Sequence, residues 1–233
     1  FKVCYFMPES SLNQTDADNY KQNIFHCIRQ WHYSAANKNS VDMILAVNGI
    51  PVFAFELKNQ FTGQSVENAK RQWKDDRDPR EICFQFNKRI LAYFCVDLNQ
   101  AWMTTKLAGE HTYFLPFNQG SNGAGNDGGK GNPVNPNGYP TAYLWEDVLQ
   151  KDSALDIIQK FIHCKDNKVL IFPRFHQLDV VRKLIADVKE HGTGVNYLIQ
   201  HSAGSGKSNS IAWLAHQLVT LKNDSGKENG SLR

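Results

Sequence analysis

No two cysteines in this sequence are spaced as C-x-x-C, and the five present (Cys4, Cys27, Cys83, Cys95, Cys164) are scattered and odd in number. That excludes a zinc ribbon, offers no disulfide framework and fits a reducing cytoplasm. No stretch approaches the roughly 18 uninterrupted apolar residues of a membrane span, and the first residues carry no signal-peptide pattern. Charge of one sign is also lacking: 26 Lys and Arg face 23 Asp and Glu, with a pI near 8.5. This falls short of the pI of about 9 at which basicity alone points to nucleic acid, so any basic patch is local. Internal repeats are missing, and the eight histidines have no metal-ligand spacing. What the chain does have is apolar bulk, 41% hydrophobic and 12% aromatic over 233 residues, enough to build one large domain or two small ones. Its start at Phe1 and its polar end "KNDSGKENGSLR" read as a piece of something longer.

The pattern along the chain predicts strands first and helices later. "NIFHCIRQWHY" (23 to 33) is rich in β-formers, and Trp31, His32 and Tyr33 read as core or strand surface. "VDMILAVNGIPVFAFELKN" (41 to 59) reads as a hairpin around Asn48-Gly49. "SVENAKRQWKDD" (65 to 76) spaces Val66, Ala69 and Trp73 on one helix face and is stopped by "RDP". A second hairpin covers 88 to 97 and 101 to 105. The Gly, Asn and Pro of 118 to 140 make a long flexible surface loop. Ser153 and Asp156 suggest a capping box opening the next helix. A boundary near 164 to 168 separates domains at 1–165 and 166–233. The second opens with a helix presenting Leu178, Val181, Ile185 and Val188, a strand at 195 to 200, and a helix at 209 to 221 with Ile211, Leu214, Ala215 and Leu218 inward.

The first hairpin poses the main chemical question, because an aspartate opens it and Glu56-Leu57-Lys58 closes it. Side chains alternate along a strand, so Met43, Leu45, Val47, Phe53, Phe55 and Leu57 form a core face. Asp42, Glu56 and Lys58 share the other face if paired residue numbers sum to an even value. That parity predicts an odd-length or bulged turn, since a tight two-residue Asn48-Gly49 turn gives an odd sum, puts Asp42 and Glu56 on opposite faces and removes the site. Two carboxylates about 4 Å apart repel by on the order of 4 kcal/mol at an effective dielectric of 20. A hard divalent cation resolves the conflict. Mg²⁺ held by Asp42 and Glu56 can polarise a phosphate and lower the pKa of a bound water, with Lys58 placed to offset developing charge. The following helix offers Lys70, Arg71, Gln72 and Lys74 to DNA phosphates.

The second motif is "HSAGSGKS" (201 to 208), set between the strand and the helix of the later domain. Gly204, Ser205 and Gly206 let backbone N–H groups turn toward a phosphate, Lys207 reaches the β- and γ-phosphates of ATP, and the Ser208 hydroxyl serves Mg²⁺. His201 stands where the full P-loop pattern has glycine. "FPRFHQ" upstream is similar to an adenine-reading motif of P-loop motors and assigns Gln177 to the base. Nothing after the 209 to 221 helix reads as an acidic strand or an arginine finger, so this stretch alone is not expected to hydrolyse ATP.

Taken together, Asp42, Glu56-Leu57-Lys58, "RQWKDDRDP", "FLPFN", "FPRFHQLDVVRKL" and "YLIQHSAGSGKSNSIAWLAHQL" resemble the restriction (motor) subunit of type I restriction enzymes from about Asn23 onward. The resemblance implies an α/β fold class: a PD-(D/E)xK restriction-endonuclease-like domain followed by the start of a RecA-like, superfamily 2 P-loop domain. It implies Asp42 and Glu56 as Mg²⁺ ligands, Lys58 as catalytic lysine, Lys207 and Ser208 on phosphate and Mg²⁺, and Gln177 on adenine. The implied activity is ATP-dependent, site-specific cleavage of double-stranded DNA alongside modification and specificity subunits, in the cytoplasm and without a membrane. Gln72 occupies the glutamine of the family's Q-x-x-x-Y helix, but Asp76 replaces the tyrosine, and Val41 replaces the proline before the first aspartate. Glu9 and Asp16 both qualify as a further upstream acidic ligand. The alternative is a P-loop translocase whose N-terminal domain only binds DNA, with a structural hairpin end.

Overall fold

The computed structural model describes residues 2–9 and 12–221; the polar end at 222–233 lies outside them. A short helix, α1 (Gln14–Lys21), precedes a six-stranded sheet in chain order: β1 (Phe25–His32), β2 (Ser40–Val47), β3 (Ile50–Leu57), β4 (Ala92–Val96), β5 (Ala101–Thr104) and β6 (Leu115–Pro116). The pairing is antiparallel throughout except between β3 and β4. Parallel neighbours require a crossover, and the connection carries α2 (Val66–Asp75). Beyond the sheet come a five-residue π-helical turn at Leu144–Val148, α3 (Lys151–Lys160), a small hairpin of β7 (His163–Lys165) and β8 (Val169–Ile171), α4 (Phe175–His191) and α5 (Lys207–Thr220).

Alternation along the strands buries both faces of the sheet rather than one. Ile44, Ala46, Ala54, Tyr93 and Cys95 meet Val66, Ala69 and Trp73 of α2, together with Phe84 and Ile90 from the connection. Leu45, Val47, Phe53, Phe55, Phe94 and Phe117 face the opposite way, against residues of α3 and α4. A sheet with helices on both sides follows, and the strands at its centre read as near-continuous apolar runs. Phe172, Phe175, Leu178 and Val181, and Trp213 of α5, belong to the same cluster as the sheet residues. β1 is the edge, largely exposed, with Gln30 at φ +49° breaking its ladder opposite Asp42. Such an irregularity blunts an edge strand against pairing with another chain.

The hairpin reaches the even-sum register by a route the sequence did not indicate. Its turn is the tight two-residue form, with Asn48 at φ +49° and Gly49 at φ +83°, and Val47 pairs Ile50. This corrects the expected odd-length or bulged turn, and the tight turn does not part Asp42 from Glu56 as expected. A bulge then inserts one extra residue into β3: Ala46 pairs Pro51 but Leu45 pairs Phe53, so Val52 is the surplus. From there Met43 faces Phe55 and Ile44 faces Ala54, which places Asp42 opposite Glu56. One inserted residue reverses the parity, and therefore the face, of everything beyond it.

Helix α2 forms where its spacing predicted. The Ser65 hydroxyl accepts from Glu67 N, the Asn68 side chain accepts from Ser65 N, and buried Asp97 accepts from Val66 N at 3.0 Å. Trp73 is wholly buried and donates to the Phe94 carbonyl at 3.1 Å, fixing the helix over β4.

Three other expectations change. Residues 195 to 200 form no strand: among the described residues no neighbour offers them a ladder, and Leu198 is 94% exposed. α3 starts after Gln150, whose side chain makes no capping bond, and Ser153 lies inside the helix, donating to Val148 O. α5 turns Trp213 and Ser210 inward, with Trp213 against Phe161 and His163, leaving Ile211 and Ala215 exposed. The helix packs most deeply by its largest ring, with Leu214 half-buried against the same cluster and Leu218 half-buried as well. The 118–140 stretch is coil, but it is laced by its own side chains. Asn132 bonds Gln119 N, Asn99 O and the Asn118 side chain, and Gly120 N meets Gly131 O.

Candidate active site

The open end of the β2–β3 hairpin lies beside β4 and under the C-terminal half of α2. Leu57 leaves β3 as Lys58 N donates to Val96 O at 2.8 Å. Asp42, half-buried, accepts from Leu57 N at 2.8 Å through Oδ2 and from Gln30 Nε2 at 3.3 Å through Oδ1. Glu56 is fully buried. Its Oε1 accepts two bonds from Arg77, from Nε at 2.9 Å and Nη2 at 2.7 Å, while its Oε2 is buried with no hydrogen-bond partner. Lys58 Nζ donates to Gln72 Oε1 at 2.5 Å and stands 3.9 Å from Asp42 Oδ2. Asp42, Glu56 and Lys58 therefore converge, and α2 with its C-terminal extension supplies the partners of two of them.

The electrostatics are unbalanced in a way that matters. Burial pushes the Glu56 carboxyl up to about 8; Arg77 opposes this and the Asp42 carboxylate beside it adds to it. A lone acid in such a place is costly to ionise. Cys95, paired with Glu56 across β3 and β4, is likewise pushed up by burial. Oε2 is the oxygen of Glu56 left without a donor, and the Asp42 carboxylate is near enough to push the Glu56 carboxyl up further.

A divalent cation fits this donor set. Glu56 Oε2 is an orphaned buried acceptor, Asp42 brings a second carboxylate, and Mg²⁺ is commonly held by one or two carboxylates with waters completing its shell. No group of three His, Cys, Asp or Glu gathers anywhere among the described residues. Glu9 instead accepts from Thr220, and Asp16 from Asn13.

The cationic side chains on α2 divide. Lys70 lies 3.3 Å over the Trp102 ring and pairs with Glu67 at 2.7 Å, so its charge is already engaged. Arg71 is exposed, Lys74 is half-buried, and Gln72 is turned to Lys58. Sequence reasoning used Arg77 only as part of a helix stop and missed its contact with Glu56. Nothing in a single "RDP" signals it.

The glycine-rich loop sits elsewhere, leading into α5. Gly204 and Gly206 have φ +71° and +83°, and Lys207 opens the helix. The Lys207 ammonium bonds the carbonyls of Ser202 at 2.9 Å and His201 at 3.2 Å. Gln177 is buried, accepting from Arg174 N and donating to Gly206 O at 2.8 Å. His176 meets Ser205 O at 3.0 Å. Ser208 is exposed and Ser205 is buried. A cavity of about 300 Å³ beside the loop is lined by Gly204, Ser205, Gly206, Asn209, Arg174 and Gln177, among others. The small residues and the lysine suit a phosphate, but here the lysine and Gln177 are satisfied by backbone.

Comparison with known proteins places this geometry in context. Residues 5–114 match the family described as type I restriction enzyme R protein N terminus. A curated protein of Methanocaldococcus jannaschii, named by inference as the type I restriction enzyme MjaVIIIP endonuclease subunit, is 27% identical over 218 residues. That match takes in 86% of this chain and 19% of the relative, so the chain spans about a fifth of the length of the protein it resembles.

Proposed function

We propose, from the match of residues 5–114 to the type I restriction enzyme R protein N terminus, that this chain carries a Mg²⁺-dependent centre cleaving DNA phosphodiester bonds. The observation that supports it is the buried, partnerless Oε2 of Glu56 beside Asp42, with the Lys58 ammonium in reach of the same aspartate. Asp42 and Glu56 would hold the ion; when bound it supplies Lewis-acid polarisation of a phosphate and a water of lowered pKa. Lys58, anchored by Gln72, presents its ammonium where negative charge grows on the phosphate oxygens. Asp42 accepts the Leu57 N–H, which ties β2 to β3 beyond their last ladder pair and sets the spacing of the two carboxylates. Exposed Arg71, with Lys74 beside it, suits the flanking DNA backbone.

The full protein's properties belong to the same proposal: ATP bound at Gly204–Ser208 and driving DNA movement, and assembly with modification and specificity subunits. Helix α4 would then surrender the Gln177 bond to Gly206, and Lys207 its two carbonyls, as the loop opens around phosphate. No helix among the described residues is long and apolar enough to cross a membrane.

Calorimetric titration of Mn²⁺ into the chain and into Asp42→Asn and Glu56→Gln is the test. Loss of binding in either variant supports the centre. Equal binding in all three, or none in wild type with duplex DNA added, would leave the hairpin end structural and return the translocase-with-clamp reading.

A further inference from the structure

The Arg77 guanidinium is almost wholly enclosed, its side chain 6% exposed, and its bonds reach three separate parts of the chain. Nε and Nη2 donate to Glu56 Oε1 at the end of β3, Nη2 also donates to Ser40 O at the start of β2 at 2.8 Å, and Nη1 reaches Asp76 O at 3.4 Å. The ring of Tyr33 lies 5.8 Å from its Cζ. An arginine fork facing a carboxylate ordinarily takes one oxygen with each arm. Here both donors fall on the same oxygen, and the other is left buried without a donor.

We propose that Arg77 is a positioning residue for the metal centre: by claiming Oε1 with two bonds it fixes the Glu56 carboxylate, leaving Oε2 as the oxygen available to a cation shared with Asp42. The identity of the ion rests on the nuclease reading. The asymmetry of the Arg77–Glu56 contact does not. Because the fork is also held by Ser40 O and Asp76 O, its position is set by backbone at both ends, and the position of Oε1 is set with it. Once ionised, a flexible carboxylate next to Asp42 would swing from the like charge; one held by two bonds to a fixed fork keeps its place. Partners of this kind, one shell out from the ligand, typically alter metal affinity by about 10–100-fold.

The experiment is Mn²⁺ titration by calorimetry into the 233-residue chain and its Glu56→Gln, Arg77→Met and Arg77→Lys variants, with thermal unfolding of each as a control on folding. Arg77→Met keeps length without donors, and its affinity is expected to fall about tenfold or more. Arg77→Lys keeps the charge with no planar fork and should fall between wild type and Arg77→Met, with an unfolding midpoint near that of wild type. A merely structural arginine would lower the midpoints and leave the affinity of the folded protein unchanged. If Arg77→Met does not fold, Arg77→Lys decides alone. Affinity within twofold of wild type in the folded variants overturns the proposal while sparing the nuclease reading, provided Glu56→Gln has lost the ion. Tighter binding in Arg77→Met overturns it too and makes the arginine a competitor of the cation. Wild type and Glu56→Gln binding alike, or neither binding, overturns both.

Discussion

Raising the pH should weaken the metal-free fold through Glu56 alone. Its carboxyl is pushed up to about 8 by burial, while in the unfolded chain it titrates near 4.3. Between those values the folded protein holds a proton that the unfolded chain has released. Stability then falls as pH rises, by about 1.4 kcal/mol per pH unit at full proton difference. The contribution is complete below about pH 4, is lost progressively on the way to pH 8, and is gone above it. Between pH 6 and pH 8 the loss is on the order of 2 kcal/mol, since the folded state is itself releasing the proton near the upper end. The assay is urea unfolding followed by tryptophan fluorescence at pH 6, 7 and 8 in the presence of a chelator, for wild type and Glu56→Gln. Subtracting the variant removes every other titrating group, including His176, whose pKa burial lowers. The difference in unfolding free energy should narrow or reverse by roughly that amount across the series. Parallel behaviour of the two proteins would mean that Glu56 is ionised in the fold throughout, with Arg77 outweighing burial, and the argument from desolvation would be refuted.

Other consequences can be checked on the same chain. Trp73→Ala empties a fully buried site and deletes the bond to Phe94 O, so it should cost about 3–5 kcal/mol in urea unfolding; a loss under 1 kcal/mol would mean α2 is not held by that ring. Gly206→Ala places a Cβ 2.4 Å from Gln177 Nε2 at a residue with φ +83°. It should cost about 1–3 kcal/mol, and adding Gln177→Ala should recover only the part due to crowding, so full recovery in thermal unfolding would contradict the backbone contribution. Gly49→Ala meets no atom within 4 Å but sits at φ +83°, so its cost is conformational, about 1 kcal/mol, and an unchanged unfolding midpoint would argue against the tight turn.

Much of the sheet could be read from the sequence because its strands are bounded by strong punctuation and its central members are apolar on both faces. The helix carrying Val66, Ala69 and Trp73 was legible for the same reason, with a capping serine at one end and a proline after the other. The gathering of Asp42, Glu56 and Lys58 was argued from parity, and the parity is correct although the turn is not. Asn-Gly signalled a two-residue turn plainly, whereas the Val52 bulge has no residue-type signature to read. Arg77 escaped because its role depends on where the chain returns after α2, which is tertiary. The strand expected at 195 to 200 failed for a related reason: β-rich composition marks what can pair, and pairing needs a neighbour. Ile211 and Leu218 spaced a plausible inward stripe, yet the partner surface around Phe161 selects Trp213.

The single parallel junction in the sheet governs when the proposed centre can form. β2 meets β3 through two residues, so that ribbon can close locally within microseconds. β4 reaches β3 only after the whole α2 crossover, bringing the Cys95 register and the Val96 carbonyl that receives Lys58 N. Arg77 and Gln72 lie on that same crossover. A chain emerging from the ribosome thus carries the Asp42–Glu56 ribbon before it carries Gln72 and Arg77, whose side chains bond Lys58 and Glu56 in the fold. Assembly order, set by topology, brings the two side-chain partners of the proposed centre last.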